Sequence, residues 1–347
     1  MDISVLIPSY GRPDKLRALL ASLAAQRLDG LTYEVRVGLD GGDAATAEAV
    51  MGSLPMDARQ RFTIVPMKRC GQATVRNALL REASGELILW LNDDVVASRG
   101  LLLAHHGAHA EAASAGVKVM VVGAAHWRVH ADDTVFDRLI RETSMVFFYD
   151  VMDDPAQGDT SRRDWGFRHA WTINLSMRAD DVRAAGAFRI FEAWYGSEDI
   201  ELGYRVAGLP GGRAVWYRRR AQVEHDHRVD LVEYIEREYK LGYNAFHFAR
   251  ECPEAAGATY RRDIASREEI EYCRAFVARE LAAAKRSRKH VAAAGAAAAG
   301  SPSDWPVLRE SLYLAHLPLK RWSWRLGLLD AAEARPLEAS RAVDQSA

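Results

Sequence analysis

The chain has 347 residues, with 46 Lys and Arg against 47 Asp and Glu, and a formal net charge of −1 at neutral pH. With no basic surplus, bulk charge cannot hold it to nucleic acid or anionic lipid, and 49% apolar with 27% charged residues excludes wholesale disorder. A chain near this length buries roughly 75% of its unfolded surface, enough for one large domain with appendages or for two ordinary domains.

Two periodicities alternate through the first half. Ile3 to Ile7 is a short apolar run ending at Pro8. Asp14 to Gln26 sets Leu16, Leu19, Leu20 and Leu23 on one helical face. Strands are predicted at Glu34 to Leu39 and Arg61 to Pro66, and a helix at Gln72 to Ala83. Glu86 to Leu91 is almost wholly apolar, as a central parallel strand covered on both faces should be. The order strand, helix, strand, helix, strand predicts an α/β, doubly wound, mostly parallel sheet.

The middle adds strands at Val117 to Gly123, Ala170 to Ser176 and Ala214 to Tyr217, with a helix from Glu198 to Ala207. From Asp230 the chain reads as helical and charged. The predicted organisation is a sheet-bearing domain over 1–228, its halves at about 1–125 and 126–228, then a helical extension over 229–290. An Ala/Gly/Ser/Pro linker over 291–303 leads to an amphipathic or partly disordered tail over 304–347. Cys70, Cys252 and Cys273 are too scattered for a disulfide framework or a metal site, which fits a reducing compartment. No targeting segment or membrane-length apolar run is visible, so a cytoplasmic protein is expected.

Three predicted strands end in polar residues: Pro8-Ser9-Tyr10, Asp40, and Asn92-Asp93-Asp94. In an open parallel sheet these ends share the rim where ligands bind. Neither a GxGxxG turn nor a P-loop is present, so neither a dinucleotide nor a phosphate-loop nucleotide is expected. Asp93 and Asp94 either hold a hard divalent cation or cap the next segment. His225 and His227 would point the same way from a strand, as metal ligands or as surface histidines. Glu198 and Asp199 open a helix whose N-terminus favours ionised carboxylates, and a base there stays available at neutral pH. Adjacent helical residues project about 100° apart, so the two acids cannot flank one bond as a glycosidase pair does. Arg76 is either a solvated charge or a phosphate partner.

Together the motifs VLIPSYGRPDKLRALLASLAAQ, VGLDGGD, GQATVRNALLREASGELILWLNDDV, WTINLSMR, WYGSEDIELGYRVAG and VEHDHRVDLVEYI resemble glycosyltransferase family 2 of the GT-A type, over roughly residues 3–245. The resemblance implies a GT-A fold with a C-terminal helical extension. It also implies inverting, metal-dependent transfer of a sugar from a nucleotide sugar, a UDP-sugar, to a hydroxyl of a saccharide or glycoconjugate acceptor. Pro8 and Tyr10 would line the nucleobase site and Asp40 would bond the base, with Arg76 near the donor. Asn92, Asp93 and Asp94 occupy the DxD position, with Asn standing where the family has its first Asp. Asp94, Asp93 and His225 would then hold Mn²⁺ or Mg²⁺, with His227 the lesser candidate, and a ligating imidazole slightly favours Mn²⁺. Asp199 would be the general base and Glu198 a sugar contact, with Trp165, Trp171 and Trp194 as stacking platforms. Two alternatives are a non-catalytic nucleotide-sugar-binding protein and a sugar-nucleotide pyrophosphorylase, although PSYGRPDK is not the phosphate loop the latter needs. No nucleic-acid partner is expected. The Trp-containing tail could add peripheral contact at the inner face of a membrane.

Overall fold

All seven residues of strand β1 (Ile3–Ser9) are buried, so the strand lacks a polar face and reads as an uninterrupted run. The elements that follow are α1 (Pro13–Ala24), β2 (Tyr33–Asp40), α2 (Ala44–Gly52), β3 (Phe62–Met67), α3 (Gln72–Arg81), β4 (Leu87–Leu91), β5 (Val95–Ala97), α4 (Leu101–Ser114) and β6 (Val119–Trp127). Next come α5 (Val135–Glu142), α6 (Tyr149–Met152), β7 (Asn174–Arg178), α7 (Ala179–Ala184), α8 (Glu198–Ala207) and β8 (Ala214–His225). The chain ends in α9 (Leu231–Glu251), α10 (Pro253–Tyr260), α11 (Arg267–Gly295), α12 (Trp305–Ala332) and α13 (Ser340–Ser346). The computed structural model describes residues 1–191, 196–300 and 304–347. It divides into a sheet unit (Met1–Arg128, Met152–Ile190, Glu198–His227) and a helical unit (Val129–Val151, Phe191–Ser197, Arg228–Ala347).

The sheet unit carries one eight-stranded sheet in the order β3-β2-β1-β4-β7-β6-β8-β5. β3, β2, β1 and β4 run parallel, so the carboxyl ends of β1, β2 and β4 share one rim. β7 lies antiparallel between β4 and β6, and β5 antiparallel to β8, which makes the sheet mixed. α1 buries Leu16, Leu19, Leu20 and Leu23, the stripe its sequence predicts, and starts with Pro13 in its first turn, where the missing amide is harmless.

Four strands differ from the sequence reading: β5 has no counterpart there, and β6 runs on past Gly123 to Trp127. β7 begins only at Asn174, because the chain turns just before it, with the Asn174 amide donating to the Trp171 carbonyl at 3.3 Å. β8 runs unbroken to His225, with a register shift where Gly123 pairs with Arg218 and Ala124 with Gln222. The Asn174 amide repairs that irregularity by donating to the carbonyls of Ala124 at 3.0 Å and Ala221 at 2.8 Å. Gly123 is required here, since a Cβ would lie 2.2 Å from the Ala221 carbonyl oxygen.

A buried hydrogen-bond chain sits behind this repair. Because Asn174 Oδ1 only accepts, the His105 Nε2 proton points at it across 2.9 Å. His105 Nδ1 must then accept from Ser176 Oγ at 2.8 Å, and Ser176 Oγ accepts from His109 Nε2 at 2.8 Å. Each neutral imidazole thus has one tautomer that satisfies the chain. Burial pushes both histidines down, His105 to about 4 and His109 to about 3.

The helical unit corrects the reading of the last third. Residues 291–295 continue α11 and do not begin a linker, and Val291 and Gly295 are buried. The tail is a long helix, α12, not a disordered segment, because Trp322, Leu319 and Leu326 fill a core with Ile235, Tyr239, Ala284 and Ala342. α9 and α12 cross closely: a Cβ on Gly242 would lie 1.8 Å from the Trp324 carbonyl oxygen, and one on Gly327 2.0 Å from that of Tyr239. Residues 129–151, expected in the first domain, belong to this unit instead. Among the described residues no helix is long and apolar enough to cross a membrane.

Candidate active site

The site lies on the sheet unit's rim. At the β2 end, Asp40 is buried and accepts from the backbone amides of Cys70 at 2.7 Å and Gly71 at 3.1 Å, and it pairs with Arg69. The Arg69 guanidinium covers the Tyr10 ring 3.6 Å from its centroid. Tyr10 is exposed and forms a platform, whereas Pro8 is buried inside β1 opposite Gly38 and does not line the surface. Asp40 therefore anchors the turn into α3, and lone pairs remain for a donor from outside.

At the β4 end, Asp93 and Asp94 are both buried. Asp93 Oδ2 accepts from Ser9 Oγ at 2.8 Å and from the Tyr10 amide at 3.3 Å. Burial raises the Asp93 carboxyl, while Arg12 opposes the shift. Asp94 precedes β5, and the register of Val95 against His225 carries the end of β8 to it. His225 Nε2 lies 3.6 Å and His227 Nδ1 4.0 Å from Asp94 Oδ2. Burial alone would raise Asp94, but the hydrogen bond and charge of His225, with Arg12 and His227, hold it well below the usual carboxylate range. Burial moves His227 the other way, down to about 4. The two imidazoles stack at 5.6 Å, and His225 lies against Trp127 with centroids 4.4 Å apart. Both rings thus face one carboxylate, His225 from the end of β8 and His227 from the segment after it.

Arg76 joins these strand ends to α8. It is buried, with Nη2 3.4 Å from Asn92 Oδ1 and Nη1 3.8 Å from Glu198 Oε1. Burial lowers its pKa against the charges of Glu198 and Asp199, and the Phe188 ring covers it at 5.2 Å. Asp199 accepts from its neighbour's amide, Ile200, at 2.8 Å, and from the Thr172 amide. The helix N-terminus was expected to keep this carboxylate ionised. Desolvation is the larger effect, and with the nearby Glu198 charge it raises Asp199 to about 6 despite Arg76 and the two amides. The group is thereby more basic than a free carboxylate.

Trp165, His169 and Trp171 form an edge-to-face series at 6.2 and 5.3 Å beside Thr172. Trp194 lies outside the described residues. Arg12, Arg69 and Trp127 received no role from the sequence. Arg12 stands inside the quoted PSYGRPDK motif, but only the fold reveals that it faces acids some 80 positions away.

A divalent cation fits the donor set. Asp94 Oδ1 is buried and has no hydrogen-bond partner among the described residues, which suits a cation that takes one or two carboxylates. No three His, Cys, Asp or Glu side chains among the described residues already stand in a metal-binding arrangement.

Residues 4–167 match the model of glycosyl transferase family 2. The chain is 31% identical over 227 residues to a validoxylamine A glucosyltransferase of Streptomyces hygroscopicus subsp. limoneus, an alignment covering 60% of this chain and 49% of that one. It therefore spans about half the length of that relative. An uncharacterized glycosyltransferase of Bacillus subtilis (strain 168), YfnE, is 33% identical over 109 residues, 31% of this chain and 27% of that one. Among solved structures, a mannosyltransferase of Pyrobaculum calidifontis in complex with GDP-Man and Mn²⁺ aligns with a TM-score of 0.58 at 16% identity, over 96% of this chain and 86% of that one. That likeness bears on the fold alone. Residues 4–167, just under half of the chain, thus carry the likeness to glycosyl transferase family 2, and the sheet unit has the GT-A fold.

Proposed function

We propose that the protein is an inverting glycosyltransferase that moves a sugar from a nucleotide sugar, a UDP-sugar, to an acceptor hydroxyl. The observation that carries this reading is Arg76, which touches Asn92 on one side and Glu198 on the other. It gathers the rim and the α8 carboxylates around one buried charge. Asp199 takes the acceptor hydroxyl proton as the oxygen attacks the anomeric carbon, and the electron pair of the broken bond leaves with the nucleoside diphosphate. An α-linked donor then yields a β-linked product. Glu198 contacts the sugar, and Trp171, next to the Thr172 that orients Asp199, offers the acceptor an indole face. Asp40, under the Tyr10–Arg69 platform, receives the base. A divalent metal, Mn²⁺ or Mg²⁺, held by Asp94, Asp93 and His225, would offset charge on the diphosphate when bound. The glucosyltransferase relative supports a hexose as the transferred group.

The test is nucleotide release. With Mn²⁺ and a set of UDP- and GDP-hexoses, one donor is expected to give slow release of nucleoside diphosphate, accelerated by an acceptor. Tight binding without any release would favour the nucleotide-sugar-binding alternative.

We further propose a cytoplasmic protein that touches an anionic membrane surface through α11 and α12. Arg325 lies 5.4 Å over the ring of Tyr272 and 4.4 Å over that of Phe276, so the two helices share an edge. Helical spacing extends that edge through positions 272, 276, 279, 283, 286 and 290, and 307, 311, 314, 318, 321 and 325. It carries Arg286, Arg321 and Arg325, together with Arg279 paired to Glu280 at 2.7 Å, interleaved with Val307, 73% exposed, and Leu314, 56% exposed. Basic and apolar side chains on one face match a charged lipid surface better than an acidic protein.

A further inference from the structure

The guanidinium of Arg12 occupies the place where the acidic pair would meet a cation. Nη1 lies 2.5 Å from Asp94 Oδ2, and Nη2 lies 2.8 Å from Asp93 Oδ1 as a charge contact outside hydrogen-bond alignment. Asp94 Oδ2 is also the oxygen that His225 and His227 face, at 3.6 and 4.0 Å. The oxygen best placed to share a metal with imidazole is thus already engaged by a permanent positive charge. Arginine is suited to this, because its fork spans two carboxylates and it does not deprotonate in proteins.

The partners differ in mobility. Asp93 and Asp94 are buried, but the Arg12 side chain is 40% exposed and follows Gly11, whose φ of +65° turns the chain at the rim. Arg12 can swing outward without opening the core. Ser9 and the Tyr10 amide hold Asp93 in place, and Asp94 is buried beside it. Two cations a few ångströms apart in a poorly solvated site repel strongly, so a divalent ion and the guanidinium cannot both sit on Asp94 Oδ2.

We propose that Arg12 is a resident counter-cation that competes with the divalent metal for Asp93 and Asp94, so that the free protein's metal affinity is set by the displacement of this side chain. The inference rests on the metal-assisted reading of the site. It adds that metal binds weakly until Arg12 has another place to be.

The experiment measures Mn²⁺ binding to the full chain without nucleotide, by the electron paramagnetic resonance signal of the free ion. Arg12→Met keeps the length and apolar stem and removes the charge. It is expected to bind Mn²⁺ about tenfold more tightly than the wild type, as loss of a charge-assisted contact would allow. Arg12→Lys keeps the charge and should show little tightening, and Arg12→Met with Asp94→Asn should lose the gain. If Arg12→Met destabilises the protein in chelator, Mn²⁺ should restore its melting temperature more than that of the wild type. Equal or weaker Mn²⁺ binding by Arg12→Met overturns the inference, and no Mn²⁺ binding by any variant overturns both it and the metal assignment. Tightened binding with no nucleotide release from any donor would leave the competition standing and remove the transferase reading.

Discussion

The raised pKa of Asp199 links structure to measurable chemistry. Its folded value, about 6, lies above that of an ordinary carboxylate because burial and Glu198 disfavour the charge. A base must be ionised to act, so kcat/KM should fall as pH drops through about 6. Arg76 opposes the shift, so Arg76→Gln should move that acid limb to higher pH. A limb that stays in place would separate Arg76 from the base. The acids themselves were legible, since each ends a strand or opens a helix whose pattern is plain in the chain. Their counter-ions were not, because Arg12 and Arg69 sit in turns, and only the three-dimensional fold brings them to Asp94 and Asp40.

At the scale of elements, β5 had no counterpart in the sequence reading, and β7, read as Ala170 to Ser176, starts four residues later. The core of β7 includes polar residues, Asn174 and Ser176, which the sequence reading placed in a strand but whose burial hydrophobic periodicity does not reveal. Their partners, His105 and His109, face them from α4. The folded values of about 4 and 3 lie below the ordinary histidine value of 6.5, so the unfolded chain binds more protons between them. The network's contribution is complete above pH 6.5 and is lost as pH falls toward about 4. The melting temperature should therefore drop across that window, and less steeply in His105→Gln. Parallel curves for the two proteins would show that the pair does not titrate on unfolding. For α12 the reading left an amphipathic and a partly disordered segment open, because its Trp and Leu residues are scattered among arginines, and only packing on α9 and α11 shows which face is core.

For the whole molecule, a net charge of −1 rules out attraction by bulk charge but leaves a local basic edge intact. Vesicles containing about one-third phosphatidylserine should co-sediment the protein at low salt, and neutral phosphatidylcholine vesicles should not. Arg286→Glu with Arg321→Glu should abolish the binding, and equal binding to both vesicle types would refute the electrostatic component.

The account stands or falls on the side chain at position 199. Replacing Asp199 with Asn keeps its size and its capacity to accept from Ile200 and Thr172 while removing its basicity. Turnover and calorimetric binding of the nucleoside diphosphate with Mn²⁺, measured on the same preparation, give the decisive comparison. The account predicts that transfer is lost while binding stays within about twofold of the wild type. Retained transfer, or binding lost together with it, would contradict the assignment of Asp199 as the base.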